Sequence, residues 1–225
     1  MPKLQLKGST TCLVLCEGID AKFFLIWLLD YYKKHGISEF EHIQVEDFGG
    51  ITQLSDSLAV WKNISGFKKQ INSLCIIRDA ETNFLNSCQS IRGSLQKNDF
   101  PVSNQAWAVK DENGFKVAYL VFPGTKDENG NYKAGTLEDL CLEALADNSK
   151  TAKLSSIDSF IEQAKNEFNI QFPRLHKTRL HEFLVMHDKF VDCKIGEAAK
   201  AGAFDFENDV IKEIAGIFKE LVKSK

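Results

Sequence analysis

Acidic residues stand just past two short apolar runs of this chain, and a carboxylate in that position is a natural ligand for a hard cation. Glu17-Gly18-Ile19-Asp20 follows the run Thr11 to Cys16, and Asp79-Ala80-Glu81 follows Ser73 to Ile77. Mg²⁺ takes oxygen ligands in octahedral geometry and keeps several of its waters, so two or three carboxylates suffice to hold it. An ion of this kind, Mg²⁺ or Mn²⁺, polarises a phosphoryl oxygen and steadies the leaving oxygen of an in-line displacement. Two acids at the end of a buried strand also repel each other, and call for a cation or a proton between them. Glu138 and Asp139 are candidates for a second ion if the helix they open starts beside the same crevice. Lys177 is the candidate for balancing transition-state charge, within the concentrated basic stretch Arg174, His176, Lys177, Arg179 and His181.

Each of these residues also has a purely structural reading. Glu17 and Asp20 suit the first turn and the cap of a helix, where negative charge meets the positive end of the helix dipole. Asp79 and Glu81 suit a solvated strand-to-helix turn with Thr82 or Asn83 capping the next helix. Gly49-Gly50 either permits a turn with positive φ or, with Gly18, lets a phosphate approach the backbone closely. The basic stretch reads equally as a solvated helix face.

The elements that must position these groups emerge from periodicity. Thr11 to Cys16, Ile43 to Phe48 and Ser73 to Ile77 read as strands, followed by helices over about Asp20 to Lys34, Leu54 to Trp61 and Phe84 to Gln96. In the first helix, Phe23, Phe24, Ile26, Trp27 and Leu28 form a stripe expected in the core. After Pro101, Ala106 to Val109 and Phe115 to Phe122 read as strands of a hairpin turning at Asp111-Glu112-Asn113-Gly114, since Asn-Gly favours such turns. Thr136-Leu137-Glu138-Asp139-Leu140 opens a helix reaching about Ala146. Helical periods then recur in Ile157 to Phe168, Lys177 to Met186 and Asp209 to Val222.

Alternating strands and helices predict an α/β fold, a mainly parallel central sheet flanked by helices, with a β-hairpin and a helical C-terminal tail. The division is an α/β domain over residues 8–149 and a helical extension over 150–225 packed on it. In such sheets ligands bind outside the carboxyl ends of the strands, where Glu17, Asp79 and Glu81 fall.

A strand ending in Glu17-Gly18-Ile19-Asp20, the pair Gly49-Gly50 after the second strand, and a third strand ending in Asp79-Ala80-Glu81 resemble the Toprim domain of topoisomerases, primases and nucleases. Gly135 to Leu140 and Lys194-Ile195-Gly196-Glu197-Ala198 look similar to a Toprim-like family of the DUF3226 type, related to the overcoming-lysogenization-defect nucleases. The resemblance implies a Toprim-like Rossmannoid fold and a Mg²⁺-dependent nuclease acting on nucleic acid. It makes Glu17 a general acid or base that also touches metal, with Asp79 and Glu81 holding the ion. Glu81 departs from the pattern, because Asp is commoner there. A topoisomerase would need a nucleophilic tyrosine in a further domain, and a primase would need zinc-binding and helicase-contacting regions.

Bulk properties narrow the partners. The 225 residues are 44% hydrophobic and 26% charged, ordinary globular values, and the longest apolar stretch, Phe23 to Leu29, is too short to span a bilayer. Residues 1 to 8 lack a secretory signal's apolar core, so the expected location is the cytoplasm, with no membrane partner. Six scattered cysteines without a CxxC pair read as reduced thiols, not as a zinc site. The net charge of −3 favours transient contact with nucleic acid over permanent coating. No Gly-x-x-x-x-Gly-Lys-[Ser/Thr] loop is present, so an ATPase would be a separate partner. Two other functions stay open. One is a non-catalytic Toprim-like module binding metal, nucleotide or a partner protein. The other is a haloacid-dehalogenase-like phosphatase, suggested by Asp79-x-Glu81-x-Asn83 after a strand.

Overall fold

The computed structural model describes residues 5–223. Its sheet begins with β1 (Cys12–Cys16), whose five residues are all buried, and β1 pairs in parallel with both β2 (Ile43–Asp47) and β3 (Ser73–Asp79). The next strand, β5 (Phe115–Phe122), lies parallel to β3, and β4 (Lys110–Glu112) closes that edge antiparallel to β5, giving the order β2-β1-β3-β5-β4. Because β1 leads outward to β2 on one side and β3 falls on the other, strand order reverses at β1. A crevice therefore opens between the carboxyl ends of β1 and β3, the position where open α/β sheets bind ligands.

Side-chain alternation splits the core into two layers. Cys12, Val14, Cys16, Cys75, Ile77, Ala118, Leu120 and Phe122 face one layer, and Leu13, Leu15, Leu74, Ile76, Val117, Tyr119 and Val121 face the other. The second layer is covered by α2 (Leu54–Lys62), the single turn α3 (Phe67–Gln70) and α4 (Phe84–Lys97). The first is covered by α1 (Ile19–Lys34) and by the helices that follow β5: α5 (Leu137–Glu143), α6 (Lys150–Phe168), α7 (Leu175–Val185), α8 (Ile195–Ala201) and α9 (Asp209–Val222). A sheet buried on both faces explains why β1 and most of β3 and β5 are apolar at successive positions instead of alternating with polar residues. Among the described residues no helix is long and apolar enough to cross a membrane.

Several expectations shift. The strand expected at Ala106 to Val109 is a turn, and the hairpin strand is Lys110–Glu112. Glu112 pairs directly with Phe115, so the loop is only Asn113-Gly114, at φ 54° and 87°, as a two-residue hairpin of this hand requires. That fixes the register, while Trp107 turns at φ 61° and buries its indole in the first layer. Phe23, expected in the core, is 45% exposed, because α1 buries Ala21, Phe24, Leu25, Leu28, Leu29 and Tyr32 and leaves Phe23 at the margin. The helix expected to reach Ala146 ends at Glu143, where Leu145 forms a bridge with Phe204, and α6 begins at Lys150, ahead of Ile157. The short α8 was not expected.

All six cysteines are free thiols, five of them buried, and burial raises the pKa of Cys12, Cys16, Cys75, Cys88 and Cys141. They are packing residues.

The α9 helix lies in the same apolar layer as β1, β3 and β5 through Ile211, Ile214 and Phe218, each fully buried. Ile214→Ala is expected to cost about 2–5 kcal/mol, as for buried large-to-small changes. In denaturant the variant should unfold in one transition shared by far-UV circular dichroism and tryptophan fluorescence. A separate early transition would show α9 to be energetically independent of the sheet.

Candidate functional site

Glu17 leaves the end of β1 and Asp79 ends β3, on adjacent strands, so the sheet itself sets the two acids side by side. Alternation then turns consecutive residues of β3 to opposite faces. Arg78 enters the layer under α4, where its charge acts on Cys88, and Asp79 faces α5, whose Leu137 amide donates to Asp79 Oδ1 at 2.9 Å. Arg78 is only 2% exposed and its Nε lies 3.5 Å from Glu17 Oε2, an ion pair whose Nε and Nη1 have no hydrogen-bond partner. Glu17 Oε2 is likewise buried without one.

Glu138, in the first turn of α5, is 6% exposed and accepts from Lys177 Nζ of α7 at 2.9 Å. Of the basic stretch, Lys177 is the residue that reaches this crevice. Arg179 pairs instead with Asp158 of α6 through Nη2 at 2.9 Å, while Arg174 and His181 are exposed. Asp139 closes a capping box: its Oδ2 accepts from the Thr136 amide at 2.8 Å and lies 3.1 Å from the Thr136 hydroxyl, which commits that carboxylate to the helix start. Glu81 is exposed at φ 54°, with its amide donating to the Gly135 carbonyl at 2.8 Å. Asn83 caps α4 by accepting from the Asn86 amide.

The glycines are held by a residue that the sequence pattern did not single out. Asp47 Oδ1, at the end of β2, accepts from the Gly18 amide at 2.9 Å and the Gly49 amide at 2.7 Å. Gly18 and Gly49 stand at φ 86° and 85°, so their backbone turns need glycine, and their amides are directed at Asp47. An acid ending the second strand was the available signal. Arg78 was visible too, as a cation inside an otherwise apolar strand.

Electrostatics identify the centre of the group. Burial is the largest cause raising the Asp79 pKa to about 8, and the charges of Glu138, Glu17 and Glu81 add to it, while the Leu137 amide opposes them. Burial also raises Glu17, with Glu81 and Asp47 adding to the shift and Arg78 drawing it down. For Glu138 burial acts upward, but hydrogen bonds from Lys177 and Thr136 win and the pKa is lowered. Arg78 and Lys177 thus act as internal counter-ions to Glu17 and Glu138, while Asp79, shielded from water, has none.

Carboxylate oxygens are the donors that Mg²⁺ or Mn²⁺ would require, and Glu17, Asp79 and Glu138 are the candidates for that role, with the charge of Glu81 acting on Glu17 and Asp79. Among the described residues, however, no group of three or more His, Cys, Asp or Glu side chains is gathered closely enough to form a ready-made metal site. Two of these carboxylates are already engaged, Glu17 by Arg78 and Glu138 by Lys177.

The shift at Asp79 has a stability consequence of definite sign. Unfolded, an Asp titrates at about 3.9, and below that value both states hold the proton, so the group costs nothing. As pH rises from about 4 to about 8 the unfolded chain loses the proton first, and stability is lost across that window. Glu17 acts in the same direction. In EDTA, the fall in Tm between pH 5 and pH 8 is therefore expected to be smaller for Asp79→Asn than for the wild type. Equal falls would assign the destabilising charge to another group.

One family model, described as "Protein of unknown function (DUF3226)", matches residues 11–223, a span covering every strand and helix of the fold. No curated protein and no solved structure matches the chain. Because the match takes in nearly the whole sequence, from β1 to the end of α9, the chain belongs to the DUF3226 family.

Proposed function

We propose that this protein is a Mg²⁺-dependent phosphodiester-cleaving enzyme acting on nucleic acid, a Toprim-like nuclease related to the overcoming-lysogenization-defect group. The observation that carries the reading is the uncompensated acid at the switch point of the sheet. Asp79 sits among Glu17, Glu81 and Glu138 in a place where its charge is stable only with a proton or a cation beside it.

A bound Mg²⁺ would supply positive charge to a phosphodiester's non-bridging oxygen and lower the pKa of a bound water. The residues do the rest. Asp79 contributes the carboxylate oxygen not engaged by Leu137, and Glu17, half-buried with a raised pKa, is placed to accept or return a proton near the phosphate. Lys177, with its side chain 42% exposed, can leave Glu138 for a substrate phosphate, which frees the Glu138 carboxylate at the same moment. Phosphate contact through the Gly18 and Gly49 amides would require them to leave Asp47, so Asp47 and the glycines act first as a rigid frame for the β1 and β2 turns.

A second reading is favoured by a specific observation, the pairing of Glu17 with Arg78 and of Glu138 with Lys177. Carboxylates already balanced by internal cations suit a Toprim-like module that binds metal or nucleotide without turnover, in concert with a partner such as a separate ATPase.

Incubation of the purified chain with supercoiled plasmid, single-stranded DNA and RNA in Mg²⁺ or Mn²⁺ separates the two. Cleavage is expected, and Glu17→Gln and Asp79→Asn should each lower its rate by roughly 10²-fold or more, the scale for loss of an acid-base group. Metal binding seen by calorimetry without cleavage of any substrate would favour the binding module. Undiminished cleavage by both variants would move the chemistry away from this crevice.

A further inference from the structure

At the start of α1, which follows Glu17 in the chain, α1 and α8 enclose a groove of about 320 Å³. Ile19 and Phe23, in the first turns of α1, are 51% and 45% exposed, and with Trp27 they form its apolar wall. Apolar side chains held half out of water at successive turns of one helix give up burial energy, a pattern typical of binding surfaces. The opposite wall is built from the segment Lys194 to Lys200. Gly196 lies so close to α1 that a Cβ there would stand 2.3 Å from Phe23 Cβ, so glycine is what allows the two helices to form this narrow cleft.

The charges at the rim are unequal in availability. Glu197 Oε2 accepts from the Lys194 amide at 2.9 Å and is spent on the start of α8. The ammonium of Lys200 lies 4.8 Å from the centroid of the Trp27 ring, which sets a cation against an aromatic face. Asp20 lines the groove as well and sets a negative charge against its two lysines, and with Glu138, Asp79 and Asp139 it acts electrostatically on the thiol of Cys141. Along the chain, Ile19 is two residues past Glu17.

We propose that this groove receives an unpaired nucleobase of a single-stranded nucleic acid, stacked on Phe23 and flanked by Lys194 and Lys200, and so positions the neighbouring phosphodiester at Glu17 and Asp79. The inference rests on the nuclease reading and adds strand preference to it. An aromatic wall with lysines at its edge is the chemistry by which single strands are held without sequence readout, and it has no counterpart in duplex backbone recognition. The volume lies at the low end for ligand pockets and suits one base, not a large ligand. Base pairing must be broken before a base can enter such a cleft, and this is what makes the site selective for single strands.

The test is fluorescence anisotropy with a fluorescein-labelled twelve-residue oligothymidylate and the full chain, with Ca²⁺ supplying divalent charge in place of Mg²⁺. Phe23→Ala should weaken binding by roughly 5- to 150-fold, the range for one stacked base. Phe23→Trp should restore it, and Lys200→Ala should weaken binding with no more than a small drop in Tm from the lost contact with Trp27. A matching duplex should bind more weakly than the single strand. Equal affinities of wild type and Phe23→Ala for the oligonucleotide would overturn the groove and leave the nuclease reading standing, whereas wild type that binds neither single strand nor duplex would overturn both. Binding of thymidine monophosphate as tight as that of the oligonucleotide would assign the groove to free nucleotides and overturn the strand proposal.

Discussion

Negative charge gathered at the carboxyl ends of β1 and β3 is the constraint around which the rest of the molecule is arranged. Carboxylates taken partly out of water destabilise a fold unless a positive partner or a proton accompanies them. Two of the three central acids have a partner built in, and each partner comes from a different layer. Arg78 rises from the α4 side, and Lys177 reaches across from α7. The arginine is the costlier of the two, since it is almost wholly buried with nitrogens unpaired. A strand that places a guanidinium and a carboxylate on consecutive residues, directed to opposite faces, delivers both signs of charge to one crevice without letting them cancel each other directly.

The fold was legible wherever local pattern and tertiary environment agree. Cys12 to Cys16 and Leu74 to Ile77 are apolar at every position because helices cover both faces of the sheet, so the run itself announces a buried parallel strand. Phe115 to Phe122 reads the same way. Legibility failed where a distant element decides the outcome. Ala106 to Val109 alternates like a strand, but Trp107 leaves extended geometry to bury its indole in a layer completed by residues far along the chain. Phe23 keeps helical spacing with Phe24 and Trp27, yet what α1 buries depends on the angle at which α8 arrives, and no local pattern encodes that angle.

The acids divide in the same manner. Glu17 and Asp79 could be read because strand ends in an α/β sheet converge whatever the details. The separate duties of Glu138 and Asp139 could not, since neighbouring acids in one helical turn differ only in what faces them: a lysine from α7 in one case and the cap of their own helix in the other. Asp47 escaped notice for a related reason. Its partners, the amides of Gly18 and Gly49, come together only once β1 and β2 have paired. That carboxylate links two turns and keeps the glycines from wandering, so the crevice is framed before any ligand arrives.

The position of α9 bears on how the chain must be made. The sheet face lined by Cys12, Val14, Cys75 and Ile77 is roofed in part by Ile211, Ile214 and Phe218, residues emerging from the ribosome long after β5. During synthesis at about 5–20 residues per second, roughly ninety further residues take several seconds to appear after Phe122, and until then that face has no lid on this side. The nascent chain therefore passes through a stage in which four parallel strands are available while a large greasy surface stands open. Slowing of translation within residues 123–208 would lengthen that interval.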